Sequence, residues 1–112
     1  MIVNFKCDYK DCFGNQIMDE TAKSETPKQI WRHLALQLFN LSTLGDAPLP
    51  AEMKYKAYSL SLRIAASPET VEITTEEGSF LKDVCAVILS SGAYGQVEDI
   101  IEGRGVFNPI KK

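Results

Sequence analysis

The sequence predicts a small α+β domain, because an alternating N-terminal segment precedes three amphipathic helical patterns and the strand signals are not interleaved with helices. The chain has 112 residues, enough for one hydrophobic core, so we expect a single domain at 1–103 followed by a tail at 104–112. The predicted architecture is an N-terminal β-hairpin packed against three main helices and a short C-terminal helix. Residues 71–73 can add a short third strand to the hairpin.

The hairpin prediction rests on alternation between residues 2 and 9. Met1, Val3, Phe5, Cys7 and Tyr9 share one parity, and the polar residues Asn4, Lys6, Asp8 and Lys10 share the other. Such a pattern is typical of a strand with one buried face. Gly14-Asn15 supplies the positive φ that a tight turn requires, and residues 16–18 are predicted to return as the second strand. The polar residues 19–25 are predicted to form an exposed connection.

The first helix is predicted to begin at Thr26-Pro27. Threonine can cap the free amides, proline favours the first helical position, and Gln29 has capping-box spacing. The apolar stripe repeats every four residues and continues onto adjacent positions, as Ile30, Trp31, Leu34, Ala35, Leu38 and Phe39. The tryptophan is interpreted as a core residue, with an interface anchor as the alternative. Two prolines and a glycine in residues 42–50 end the helical pattern.

The second helix is predicted over about Ala51 to Ala66, ending at Ser67-Pro68 because a residue before proline avoids helical geometry. Its predicted buried face comprises Met53, Ala57, Leu60 and Ile64, widened by Tyr58, Leu62 and Ala65.

The third helix is predicted to follow the capping-box pair Thr74 and Glu77. Its inward residues are predicted as Phe80, Leu81, Val84, Cys85 and Ile88. Gly92 is predicted to end this helix, and Gly95 to separate off a short amphipathic helix at 96–102.

The order of these small motifs resembles that of a group of small proteins from tailed bacteriophages and prophages. The likeness spans about residues 3 to 102: a D-x-x-G turn with an apolar residue three positions later, a helix started by threonine, a K-x-x-x-Y-x-L-x-x-[KR]-I helix at 54–64, and an apolar-Glu-apolar-Thr strand leading into a glutamate-rich helix start at 71–77. In that group a helix-forming apolar residue usually stands where this sequence has Gly78, which leaves the regularity of the third helix open. The resemblance implies a phage origin and no particular reaction.

Residues able to carry catalysis or bind a metal are sparse. The single histidine, His33, lies on the first predicted helix, and it is interpreted as a helix-face residue rather than a general base. Asp8 and Asp11 can approach each other across the hairpin, but hydrogen bonding within the turn is the favoured role. An odd set of cysteines fits reduced thiols and matches no zinc pattern: Cys7, Cys12 and Cys85. We therefore predict no enzyme, no cofactor and no metal.

The charge balance argues against nucleic acid as a partner. Twelve basic and 15 acidic residues give a formal net charge of -3, and the basic residues are dispersed among acidic ones. The side of the second helix with Lys54, Tyr55 and Arg63 stays open as a nucleic-acid-binding edge, although the neighbouring Tyr58 is interpreted as a core residue. No apolar stretch approaches the length of a membrane span, and no apolar signal region opens the sequence. We expect a protein of the bacterial host cytoplasm.

The tail carries apolar residues that a finished monomer core does not require. Val106, Phe107 and Ile110 are the candidate partner-binding residues, and they are expected to dock on this domain or on a partner; exchange of tails between two copies would give a homodimer. The sequence therefore predicts a non-enzymatic phage-type protein that binds another protein as a host-factor modulator or inhibitor. The alternatives are a virion or tail assembly chaperone or minor structural component, and a nucleic-acid-binding accessory module.

Overall fold

The computed structural model describes residues 1–18 and 27–103, and it confirms the α+β class. Within these described residues, four helices pack around one hydrophobic core, together with two small antiparallel sheets of two strands each. In chain order the elements are β1 (Ile2–Val3), α1 (Ile30–Phe39), β2 (Thr43–Leu44), β3 (Ala47–Pro48), α2 (Ala51–Ala66), β4 (Val71–Glu72), α3 (Thr75–Ile88) and α4 (Ser91–Ile101).

The predicted third strand exists as β4, and it pairs antiparallel with β1, so that Val3 faces Val71. The ladder continues by one residue, because the Met1 ammonium donates to the Ile73 carbonyl at 2.9 Å and the Ile73 amide donates to the Met1 carbonyl at 2.9 Å. The predicted strand from residue 2 to residue 9 is wrong in extent, since regular pairing stops at Val3. Beyond it, the Phe5 amide donates to the Pro68 carbonyl in a loop.

The predicted hairpin turn is present at Gly14. This glycine has a φ of 86°, its amide donates to the Asp11 carbonyl, and the Asp11 amide donates to the Asn15 carbonyl at 2.8 Å. Only one isolated bridge, between Lys10 and Gln16, closes the hairpin. The return strand predicted at 16–18 is therefore reduced to single bridges.

Three separate segments meet in a ring of backbone hydrogen bonds next to this turn. The Tyr9 amide donates to the Lys28 carbonyl at 2.8 Å, the Lys28 amide to the Ile17 carbonyl at 2.7 Å, and the Ile17 amide to the Tyr9 carbonyl at 3.1 Å. Each of these three residues thus donates one backbone hydrogen bond and accepts another within the ring. The ring fixes the hairpin against the residues that lead into α1.

The start of α1 corrects the sequence prediction. The helix begins at Ile30, not at Pro27, because Pro27 bridges Met18 and Gln29 bridges Asp8 in extended geometry. Thr26, the predicted cap, lies outside the described residues, as does the connection at 19–25. The Ile30 amide donates to the Cys7 carbonyl at 2.8 Å. The free amide at the start of α1 is therefore satisfied by a carbonyl from a distant segment, where the sequence predicted a local cap.

The buried faces of α1 and α2 agree with prediction at their centres. Ile30, Leu34 and Leu38 are buried on α1, and Ala57, Leu60 and Ile64 on α2. The bounds of α2 are those predicted, with its end at Ser67-Pro68. The predicted widening of the α2 face is wrong, because Tyr58, Leu62 and Ala65 are all exposed. Met53, predicted on the buried face itself, is also exposed.

Residues 42–50, predicted only as a break in the helical pattern, contain a small hairpin formed by β2 and β3. Its turn is at Gly45, which has a φ of 65°.

The capping box of α3 is confirmed: the Glu77 amide donates to Thr74 Oγ1 at 3.1 Å, and the Thr74 amide donates to Glu77 Oε1 at 2.9 Å. Gly78 leaves α3 uninterrupted, which settles the regularity of that helix.

The last helix corrects the prediction about two glycines. Gly92 and Gly95 lie inside α4, which starts at Ser91 and not at residue 96. The Ser90 hydroxyl accepts from the Ala93 amide at 3.3 Å and so supplies the cap. Gly103, with a φ of 76°, follows the end of the helix.

The candidate partner-binding residues of the tail, Val106, Phe107 and Ile110, lie outside the described residues. Their predicted docking and the homodimer that tail exchange would give stay predictions. Within residues 1–18 and 27–103, none of the helices combines the length and apolar character needed to cross a bilayer.

Candidate functional site

Within the described residues, the outer face of the α1–α2 pair carries a cluster of large apolar side chains that are exposed or half-buried. Its members, here called the apolar α1–α2 surface, are Trp31, Leu36, Phe39, Tyr55, Tyr58 and Leu62. Leu36 is 60% exposed, Phe39 55% and Leu62 47%, whereas the opposite faces of both helices are buried in the core. Both helices are therefore apolar on two sides, which a surface helix of a finished monomer does not require.

The aromatic members of this surface touch one another across the helix pair. The ring centroid of Tyr58 lies 5.9 Å from that of Phe39 on α1 and 5.9 Å from that of Tyr55 on its own helix. These distances are within the range of favourable aromatic pairs. The three rings form one continuous strip that is held in place while its outer side stays accessible.

A groove of about 310 Å³ runs beside the strip, between Trp31 and Ala35 on α1 and Leu62 and Ala65 on α2. Small alanines on both walls let an incoming chain approach the helix backbones closely. Arg32 is the only charged residue among the described residues that line the groove, and its guanidinium carbon lies 5.5 Å from the Trp31 ring centroid.

Trp31 packs against the core, as its favoured interpretation predicts, and its alternative role as an interface anchor stays a prediction. The side chain is half-buried and packs against the core, and it also forms one wall of the groove. The interpretation of Tyr58 as a core residue is wrong, since it is 44% exposed. The sequence did contain a signal for this surface: the apolar stripe predicted for α2 was wider than one buried face needs.

The residues of the predicted nucleic-acid-binding edge, Lys54, Tyr55 and Arg63, do not share one face of α2. Lys54 and Arg63 are nine residues apart on α2, two and a half helical turns, and so lie on opposite sides of the helix. Arg63 contacts the Glu77 carboxylate, and its Nη1 donates to the Glu72 carbonyl at 2.9 Å. This arginine therefore joins α2 to β4 and α3, and the structure does not bring it together with Lys54 and Tyr55.

A second concave site, here called the His33 cavity, lies between the N-terminal hairpin, α1 and the start of α4 and has a volume of about 400 Å³. His33 and Tyr9 form part of its wall, with the Tyr9 hydroxyl 2.8 Å from His33 Nδ1 and the two rings edge to face at 5.4 Å. Burial and, to a smaller extent, the nearby Cys85 thiol raise the Tyr9 pKa above its usual range, so the phenol stays protonated at neutral pH. The interpretation of His33 as a helix-face residue fits this position.

Gln96 connects two walls of the His33 cavity, α4 and the N-terminal hairpin, by side-chain hydrogen bonds. It is only 7% exposed, its Oε1 accepts from the Lys10 amide at 2.9 Å, and its Nε2 donates to the carbonyls of Lys10 at 2.9 Å and Gly92 at 3.0 Å. One side chain thus satisfies the backbone of the hairpin and of α4. Sequence patterning gave no sign of this role, because Lys10 lies 86 positions before Gln96 in the chain.

The carboxylates of Asp8 and Asp11, considered above as a catalytic pair, both accept hydrogen bonds in the structure. Asp11 Oδ1 accepts from the amides of Phe13 at 2.9 Å and Asn15 at 3.0 Å, and Asp8 Oδ2 accepts from Gln16 Nε2 at 2.9 Å. Both aspartates therefore hydrogen bond within the hairpin, as the favoured interpretation predicts.

The cysteines are free thiols, and burial raises the pKa of Cys85 to about 12 and also raises that of Cys7. A thiol with a raised pKa is a poor nucleophile and a poor metal ligand at neutral pH. Among the residues that the structure describes, no group of three or more histidine, cysteine or carboxylate side chains is placed to hold a metal ion.

In comparisons with known proteins, no family model, no curated protein and no solved structure matches the chain.

Proposed function

We propose that this protein is a small, non-enzymatic phage-type protein that acts in the bacterial host cytoplasm by binding another protein, as a modulator or inhibitor of a host factor. The observation that supports the proposal is the apolar α1–α2 surface, where Leu36, Phe39 and Leu62 stay exposed beside a groove. Contiguous apolar patches of this kind mark interaction sites on soluble proteins. The resemblance to small proteins of tailed phages supplies the biological setting.

The shape of the surface favours an amphipathic helix as the element that the partner inserts. A groove between two packed helices accepts a third helix, whose apolar residues at positions i, i+3, i+4 and i+7 fill the groove. Phe39, Tyr58 and Trp31 provide the aromatic groups that commonly anchor such contacts. Arg32 at the wall of the groove favours an acidic residue at the edge of the partner helix.

The functional groups elsewhere in the described chain support a binding role over a catalytic one. Asp8 and Asp11 are occupied by hydrogen bonds within the hairpin, and the raised pKa values of Cys7 and Cys85 leave these thiols weakly nucleophilic. A binding function needs none of these groups to transfer a proton.

The test compares two variants that place a charge on different apolar sites of the surface. Phe39→Asp changes the apolar α1–α2 surface, and Val87→Asp changes an equally exposed valine on α3; the two residues are 55% and 53% exposed. Tagged wild-type and variant proteins capture partners from phage-infected cells, and the affinity of each purified pair is then measured by calorimetry. We expect Phe39→Asp to weaken binding by about thirtyfold or more, as for a central interface residue, and Val87→Asp to leave it within about twofold.

Circular dichroism establishes that both variants are folded. Equal affinities for a folded Phe39→Asp protein and the wild type would remove the apolar α1–α2 surface as the binding site and, with it, the observation that supports the proposed function.

A further inference from the structure

We infer that the His33 cavity binds a small organic anion with an apolar body. The cavity is separate from the proposed protein-binding surface, because none of its described lining residues also lines the α1–α2 groove. The inference therefore goes beyond the proposed function and can fail or succeed independently of it.

The size and floor of the cavity suit an apolar body. Its volume of about 400 Å³ falls within the usual range of small-molecule sites, roughly 300–1,000 Å³. Ile17, Ile88 and Leu89 contribute apolar side chains from the hairpin and from the end of α3. A ligand without apolar surface would leave this floor in contact with water and would gain little from entering.

The charges around the cavity favour an anionic group. Lys10 and Lys28 are half-buried lining residues, and the Lys28 ammonium lies 5.8 Å from the centroid of the Tyr9 ring, close to the Tyr9–His33 pair. The acidic lining residue is Asp11, whose carboxylate already accepts two backbone amides of the turn. Two lysine side chains against one carboxylate leave the described lining with an excess of positive charge, which attracts an anion and repels a metal cation.

The walls of the cavity are fixed before a ligand arrives. Gln96 ties α4 to the hairpin by two hydrogen bonds to Lys10, and the backbone ring through Tyr9, Ile17 and Lys28 holds the hairpin against the residues before α1. Binding to walls that are already ordered avoids much of the entropy cost of arranging them. The hydrogen bonds therefore connect the walls of the cavity to one another without any contribution from a ligand.

The ligand chemistry is that of a carboxylate or a phosphate monoester attached to an aromatic or aliphatic body. Three probes with one shared body separate the contributions: 2-naphthoate, 2-naphthyl phosphate and the neutral 2-naphthalenemethanol. Binding is measured by titration followed through amide chemical shifts. We expect at least one anion to bind about tenfold or more tightly than the alcohol, as a charge-assisted hydrogen bond in a partly buried site provides, with shifts at residues 10–12, 28 and 89–93.

Two lysine variants test the charge contribution. Lys28→Gln is expected to weaken binding of the anion by about fivefold or more and to leave the alcohol unchanged, because only the charge is removed. Lys54→Gln on α2, outside the cavity lining, is the matched control and should leave all three affinities unchanged. Equal losses in the two lysine variants, or an anion that binds no better than the alcohol, would overturn the inference.

A third variant tests the location and does not depend on charge. Gly92 belongs to α4 and lines the cavity, and a Cβ added there meets nothing within 4 Å, so Gly92→Leu adds apolar bulk at the cavity wall without a backbone clash. We expect this variant to keep the wild-type circular dichroism spectrum and to lose binding of the anion. Unchanged binding by a folded Gly92→Leu protein would show that the probe binds elsewhere on the surface.

Discussion

The region from α2 to α3 and the N-terminal segment are stabilised in different ways. α3 begins with a capping box whose two partners, Thr74 and Glu77, are three residues apart. The segment leading into α1 is held instead by backbone bonds from Ile30 to Cys7 and from Lys28 to Ile17. Helix starts can thus be fixed by neighbours in sequence or by segments distant in sequence, and the second kind depends on tertiary contacts that a local pattern does not contain.

The largest expected effect concerns the anchor of the N-terminal segment. Phe5 is fully buried, whereas Phe13 in the same segment is 81% exposed. Phe5→Ala should lower the free energy of unfolding by about 3–5 kcal/mol, because it removes a large core side chain and leaves a cavity. Phe13→Ala should lower it by less than about 0.5 kcal/mol. Urea denaturation measures both, and similar midpoints for the two variants would contradict the assignment of the segment to the core.

The next effect concerns the contact that joins the hairpin to α4. Gln96→Leu keeps the volume of the side chain but leaves the Lys10 amide and carbonyl without their partner. We expect a loss of about 1–3 kcal/mol in unfolding free energy, the range for orphaned buried polar groups. Hydrogen exchange at the Lys10 amide should accelerate more than exchange within α3. A uniform acceleration across the molecule would mean that the hairpin does not open separately.

A smaller effect is expected at the local cap of α3. Thr74→Ala removes the oxygen that accepts from the Glu77 amide, and caps of this kind contribute about 1 kcal/mol. The adjacent Thr75→Ala changes a similar exposed threonine inside the first turn and serves as the control. Thermal unfolding should separate the two variants, and an equal decrease in Tm for both would exclude the capping role.

The smallest effect depends on pH. The hydrogen bond from Arg63, aided by that from the Thr74 amide, lowers the Glu77 pKa to about 2 from its usual 4.5. A lowered pKa in the folded state means that the ionised carboxylate stabilises the fold above about pH 4.5, and that this contribution disappears as the pH falls toward 2. Because Arg63 is more than a third exposed, we expect less than about 1 kcal/mol.

The control for this pH effect is Glu77→Gln, which cannot ionise. Its denaturation midpoint should fall less steeply than that of the wild type between pH 4.5 and pH 2. Parallel curves for the two proteins would show that other carboxylates account for the acid sensitivity.

Elements whose signals are local could be predicted from the sequence. The bounds of α2, the capping box of α3 and the turn at Gly14 follow from residues within a few positions of one another. The α1 start, the short extent of β1 and the β2–β3 hairpin depend on pairings with distant segments or on very short strands, which local patterns do not encode.

The two candidate functional sites also differ in how far local sequence patterns could predict them. The apolar α1–α2 surface could have been inferred from residues such as Tyr58 and Leu62, which make the α2 stripe too wide, but the pattern alone did not show which side is covered. The His33 cavity needs Lys10, Lys28 and Gln96, and only the folded chain brings these residues together.

The pairing of β1 with β4 has a consequence for the order of folding events. Its outermost hydrogen bond joins Met1 to Ile73, 72 positions along the chain, so forming it closes a loop through most of the molecule. Closing so long a loop is entropically unfavourable and slow compared with helix formation, so α2 and α3 should form first and the sheet should form late. Val3→Ala should then accelerate unfolding and leave the refolding rate nearly unchanged in stopped-flow measurements. A slowed refolding rate would instead place the sheet in the folding nucleus.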